Sequence, residues 1–172
     1  MPWRMVTDVE IRRLAVPDKL FAYAGSYLRG ATTLCIDLAQ PDAACTWGDG
    51  ALVLMLSAHA VELFLKGLLL KRMPEEQVWK LGHNIERLTT EYCARFTDSG
   101  YEWDVPFKTE YTDRTTAQEL VLRDAPPSIL FRYPVTKSGK DWHGLYAFEP
   151  NSFIPILRRM SEDFKRLRER AA

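Results

Sequence analysis

Residues 51–70 read ALVLMLSAHAVELFLKGLLL, and the reading of this stretch decides the fold. Twenty residues of this character are about the length that crosses a bilayer. His59, Glu62 and Lys66 nevertheless lie inside it. A charged group near mid-bilayer costs about 2.5–3.5 kcal/mol even on a lenient insertion scale. The central helix of a helical bundle is the better account, and no membrane partner is expected. Asp49 is placed to cap that helix, Lys71 and Arg72 suit its negative end, and Pro74 stops it. The pattern predicts a helix from Gly50 to about Arg72, apolar nearly all round and so buried on most faces.

The three polar residues are spaced three and four apart, so at about 100° per residue they share a wedge of about 60°. A narrow polar stripe therefore runs along a greasy helix. Buried charge is expensive, so these groups need partners or water. Two readings are open. One is a polar pocket inside the bundle. The other, favoured by the stripe taken alone, is a Glu62–Lys66 pair at i,i+4 on the single solvated edge of the helix.

Upstream, DKLFAYAGSYLRGATTLCIDLAQ (18–40) carries apolar residues at spacings of three and four, with Asp18 as a cap, Pro17 before it and Pro41 after it. Gly25 and Gly30 weaken that helix but would permit close helix packing. Downstream, Gly82-His83-Asn84 breaks the chain, and His83 or Asn84 caps a helix with the stripe Ile85, Leu88, Tyr92, Phe96, closed by Gly100. Residues 101–114 read as a loop with a short turn. Thr115 or Thr116 caps a short helix ended by Pro126-Pro127, and with Thr116 as the cap Glu119 completes a capping box. SILFRYPV and HGLYAFE, separated by TKSGKDW, read as a β-hairpin or extended flap with Pro134 at an edge. Asn151 or Ser152 caps the last helix, whose stripe is Phe153, Ile156, Leu157, Met160, Phe164 and Leu167, with Pro155 in its first turn. The fold expected is all-α: an up-and-down bundle of four to five helices with a β-hairpin or extended flap before the last one. It forms one domain over 1–172, with a core at about 18–170 and an N-terminal arm at 1–17.

The chain has 172 residues, 47% of them hydrophobic, which is enough for one cored domain. Lys plus Arg number 23 and Asp plus Glu number 23. The sequence pI is about 6.8, which excludes a globally basic nucleic-acid binder. Neutrality is a sum of unlike parts, however. The last helix carries six basic against three acidic residues, and residues 86–124 carry nine acidic against five basic. A local phosphate site stays compatible with this balance. Cys35, Cys45 and Cys93 have neither disulfide nor zinc spacing and read as small buried thiols of a reducing cytosol. The N-terminus has acidic residues and no apolar core, so no signal peptide is expected. Localisation is expected to be cytoplasmic, with no cofactor and no metal.

No G-x-G-x-x-G, P-loop, H-E-x-x-H or G-x-S-x-G is present. His83, at a helix start, is either a capping or loop histidine or a phosphate contact. His143 reads as a surface residue. Arg132, between Phe131 and Tyr133, either stacks on aromatics, reaches a carboxylate such as Glu62, or is an ordinary exposed residue.

SAHAVELFLKGLLLKR followed by GHNIERLTTEYC resembles the HEPN superfamily of small helical bundles. The pattern is carried by Ala60, Glu62, Leu63, Leu65, Lys66, Leu68, Leu69, Gly82, His83, Ile85 and Leu88. The later Arg132-Tyr133-Pro134 resembles segments before the final helix of some members. The resemblance implies a dimeric intracellular all-α domain acting in RNA or nucleotide transactions, toxin–antitoxin pairs or phage defence. A nucleotidyltransferase or antitoxin-like protein is the implied partner. Many members are metal-independent ribonucleases marked by Arg, four to six residues, then His. That signature is absent here: Arg72 to His83 and Arg132 to His143 each have ten intervening residues. The resemblance therefore implies a non-catalytic binding module, with His59, Glu62, Lys66, His83, Arg132 and Tyr133 as its ligand-binding candidates. A divergent ribonuclease and a purely structural dimerisation bundle are the alternatives.

Overall fold

The structure, a computed structural model, describes residues 5–107, 127–142 and 147–171. It is all-α. A short helix α1 (Val9–Arg12) leads into two long ones, α2 (Val16–Leu38) and α3 (Trp47–Leu69). The short α4 (Glu75–Lys80) and the longer α5 (Ile85–Arg95) follow, then a 3-10 turn at Ser99–Tyr101. A four-residue helix α6 (Pro127–Leu130) and the long α7 (Pro150–Arg170) complete the described elements.

The boundaries show where local chemistry differs from the expected pattern. Helix α2 starts at Val16, with Pro17 inside its first turn, so Asp18 lies at the positive end of the helix without capping it. Thr46 caps α3: its hydroxyl accepts from the Asp49 N–H, and Asp49 accepts back from the Thr46 N–H at 3.0 Å. Asp49 is thus the third residue of a capping box. Of the two candidates before α5, Asn84 is the cap, its side chain accepting from the Arg87 N–H. That helix ends at Arg95, and Gly100 sits in the following 3-10 turn. Helix α7 is capped by Glu149, which accepts from the N–H groups of Asn151 and Ser152. Pro150 occupies its first turn and Pro155 lies inside it. Helix α4, unforeseen, begins after Pro74 with two glutamates at its positive end.

No strand occurs among the described residues, so the expected hairpin flap is not seen there, and residues 143–146 of its second arm lie outside them. Pro127, favourable in a first helical turn, starts α6 where a strand was expected. Pro134 lacks a ladder donor, and one antiparallel bridge, Val135 to Asp141, closes a turn around Gly139. The expected helix at 115–125 and His143 lie outside the described residues.

Helices α2 and α3 run antiparallel at close range. Gly67 makes this approach: a Cβ there would lie 2.5 Å from the Phe21 ring. Gly25 and Gly30, the expected packing positions, meet nothing nearer than 3.7 and 3.8 Å. Helix α7 lies antiparallel along α2, with Cys35 Sγ against the Pro150 carbonyl at one end and Arg168 beside Asp18 at the other. The core is aromatic where α3 meets α7. Phe64 and Phe164 stack at 3.9 Å, and Trp103 presents its edge to both rings and to Tyr92. The stripe Ile85, Leu88, Tyr92 and Phe96 is buried; in α7, Ile156 stays exposed while Leu157, Met160, Phe164 and Leu167 are buried. Of the cysteines only Cys35 is buried; Cys45 and Cys93 are exposed, unlike the buried thiols expected.

The end of α7 is fastened to residues 98–102. Tyr101 Oη donates to the Arg170 carbonyl, Arg170 pairs with Asp98 at 2.6 Å, and Arg166 donates to the carbonyls of Gly100 and Glu102. Arg72 stacks on Phe96 and Tyr101 beneath this clasp. Helix α3 is long and apolar enough to cross a membrane, and 67% of its apolar window is buried inside the fold.

Candidate functional site

The polar stripe of α3 faces inward. Glu62 is 2% exposed and Lys66 4%, so the pair does not lie on a solvated edge. Helix α5 packs against α3, and His83 and the Trp79 ring of α4 reach the pair. Lys66 Nζ donates to Glu62 Oε1 at 2.8 Å, and His83 Nδ1 meets the same oxygen at 2.8 Å. His59 Nδ1 stands 3.7 Å from Oε2, too long for a hydrogen bond and an ion pair only when the imidazole is protonated. Tyr27 and His59 pack T-shaped with ring centroids 4.6 Å apart, and Lys66 Nζ lies 5.6 Å from the centre of the Trp79 ring.

Burial pushes the Glu62 carboxyl up. The polar neighbours around it, His59, Lys66 and His83, outweigh that push and hold it at about 2. Glu62 is therefore an anion at any ordinary pH. A buried carboxylate accepts and does not donate, so His83 must carry its proton on Nδ1. That leaves Nε2 of a neutral His83 as an acceptor on a side chain that is 71% exposed.

The local sequence explains how His83 gets there. Gly82 has φ +67° with nothing within 4 Å of a Cβ position, so conformation and not space demands glycine. This left-handed residue ends α4 and turns the chain. Asn84 then caps α5, and the histidine between them folds back onto Glu62. The Gly-His-Asn triplet is thus one device: turn, ligand to the carboxylate, cap.

Beside His83 opens a cavity of about 830 Å³, between the start of α5 and residues 129–142. His83, Arg87, Arg132, Tyr133, Lys137 and Trp142 line it, and no carboxylate is among its described lining residues. Trp142 Nε1 donates to the Tyr133 carbonyl at 2.7 Å, bracing the turn, and Tyr133 is 53% exposed. Arg132 makes no contact with Glu62, whose oxygens are taken by nearer donors, and stacks on no ring among the described residues. The structure thus brings His59, Glu62, Lys66 and His83 into one cluster and sets Arg132 and Tyr133 across a cavity from His83. Arg87, Lys137 and Trp142 were not foreseen. Arg87 lies one helical turn beyond His83, a neighbour that helix spacing could have supplied. Lys137 and Trp142 are brought in by tertiary folding alone. Among the described residues no group of three or more His, Cys, Asp or Glu side chains is arranged to hold a metal ion.

Comparison with protein-family models, with characterised proteins and with solved structures finds no match to this chain.

Proposed function

We propose that this chain is a HEPN-like intracellular binding module that takes a nucleotide or a short single strand of RNA in the cavity beside His83. One observation carries the reading: the described lining of that cavity combines three permanent cations and two aromatic side chains with no carboxylate. Cations attract phosphate, and an exposed aromatic face stacks a base whatever its identity. Tyr133 supplies such a face, while Arg87, Arg132 and Lys137 supply the charge. The start of α5 adds the positive end of a helix dipole. In a cell such a module fits a toxin–antitoxin or phage-defence pair, as a homodimer alongside a nucleotidyltransferase or antitoxin-like partner.

Fluorescence anisotropy with a labelled single-stranded RNA and with labelled nucleotides tests the reading. The wild type binds, and affinity falls as salt rises. Tyr133→Ala loses about 1–3 kcal/mol of binding free energy, and Arg132→Ala weakens binding and flattens the salt dependence. Absence of binding to every nucleotide and RNA tried would sink the reading.

A second reading, metal-independent RNA cleavage, draws on a different observation. His83 is fixed through Nδ1 by a buried carboxylate and shares its cavity with Arg132. An oriented imidazole can act as base or acid, and a guanidinium can stabilise a phosphorane. Cleavage of single-stranded RNA in the presence of a chelator, abolished by His83→Ala, is its expected outcome. Intact RNA after long incubation rejects it.

A further inference from the structure

A second concavity, of about 820 Å³, lies between α2 and α7, on a different face of α2 from the Tyr27 that touches His59. Its floor is apolar: Phe21, Leu28, Leu157 and Phe164, all buried to within a few percent. Its walls are the antiparallel helices themselves, from Phe21 to Thr33 on one side and Leu157 to Glu169 on the other. Each wall is about 18 Å long, or about three helical turns. The groove is therefore straight and rod-shaped, and Gly25 leaves one wall without a side chain.

The rim is cationic. Arg29 stands on the α2 side, and Arg158, Lys165 and Arg168 stand on the α7 side, against the single carboxylate of Glu169. Arg29 donates to the neutral Ser26 hydroxyl, and Arg168 reaches Asp18 only at 3.9 Å across an exposed surface. Neither Arg158 nor Lys165 has an ion-pair partner among the described residues, and Asp163 on the same helix is taken by Arg166. This is where the net positive charge of the last helix is concentrated, in a chain that is neutral overall.

We propose that this groove docks an acidic amphipathic helix of a partner protein. Charge complementarity selects the occupant: an apolar stripe meets the floor while flanking glutamates or aspartates meet the two cationic rims. The shape selects it too, because a groove between two helices accepts a third at their common direction. RNA fits less well. The floor rings are engaged with one another, Phe21 on Phe64 and Phe164 stacked on Phe64, and offer no exposed face for a base. The proposal is independent of the cavity beside His83.

The probe is a fluorescein-labelled helical peptide of about 18 residues, with leucines at i, i+3, i+4 and i+7 and glutamates flanking them. A control peptide carries lysine in place of each glutamate. With the full chain, the acidic peptide gives saturable anisotropy and the basic one does not. The double variant Arg158→Glu, Lys165→Glu weakens acidic-peptide binding at least tenfold. Gly25→Leu, whose Cβ meets only Arg29 at an ordinary 3.7 Å, fills the groove and also weakens it at least tenfold. Both variants keep the wild-type thermal melt. The proposal is overturned by no saturable binding of the acidic peptide, by equal binding of the basic one, or by variants that bind as the wild type does. It is equally overturned if single-stranded RNA or anionic vesicles, and not the peptide, show this dependence on the two variants.

Discussion

The two sides of the cavity beside His83 are built in opposite ways. On the helix side, Glu62 and Lys66 are buried, each charge has a partner within 2.8 Å, and His83 is tied to them by a capped helix and a left-handed glycine. On the other side, residues 129–142 expose Arg132, Tyr133 and Lys137 on a turn closed by one bridge and one indole hydrogen bond. The helix side holds a fixed charge in a fixed place at a cost in desolvation. The turn side holds cations in water at almost no cost. Stability and recognition are therefore expected to separate along this line, and mutation can test the separation.

The largest effect is expected from Glu62→Ala. It leaves Lys66 buried without its counter-ion, which costs about 3–5 kcal/mol. Thermal unfolding should show a drop in Tm of roughly 10 °C, at about 2–4 °C per kcal/mol for a chain of this size. A drop under 2 °C would mean that the cluster is not what holds α3 to α5.

Acid comes next. Glu62 is held at about 2 in the folded chain against an ordinary 4.5. A lowered carboxylate stabilises the fold above the unfolded value, and that contribution is lost as pH falls from about 4.5 towards 2. Its full size is about 3 kcal/mol. Urea unfolding across that window should show the loss in the wild type and a shallower slope in Glu62→Gln. Parallel slopes would assign the acid sensitivity to other carboxylates.

Asn84→Ala removes the cap of the helix that carries His83 to Glu62, at a cost of about 1 kcal/mol measured by denaturant midpoint. The smallest effect on stability is expected on the turn side. Arg132→Ala should change the unfolding free energy by less than about 0.5 kcal/mol while weakening nucleotide or RNA binding. If Arg132→Ala destabilises as much as Asn84→Ala, the two sides are one structural unit and the contrast fails.

The same contrast governs what could be read from the sequence. Helix periodicity places residues 59, 62 and 66 on one wedge, and it needs no tertiary knowledge to do so. Periodicity says nothing about which way the wedge faces: the Glu62–Lys66 pair reads as a solvated edge in sequence and is buried in the fold. The existence of each long helix was legible, but the caps were less so. Glu149 and Thr46 act one turn or less from the residues chosen, and any of several polar side chains could satisfy the same N–H groups. The close approach at Gly67 was hidden inside an apolar run, whereas Gly25 and Gly30 drew attention in an amphipathic one. The turn at 133–142 was least legible. Its alternating aromatics satisfy a strand pattern, but Pro127 starts a helical turn instead and Pro134 lacks a ladder donor.

The clasp between residues 98–102 and 166–170 has a consequence for how this chain can change over time. It joins points about seventy residues apart, and the entropic cost of closing such a circuit rises by only about 0.6 kcal/mol for each doubling of its length. Between its ends lies Arg132-Tyr133 with the rest of the turn side of the cavity. Lineages can therefore lengthen, shorten or exchange that stretch while Tyr101, Arg166 and Arg170 keep the bundle shut. The turn side of the cavity is an exchangeable cartridge in a housing that need not be rebuilt.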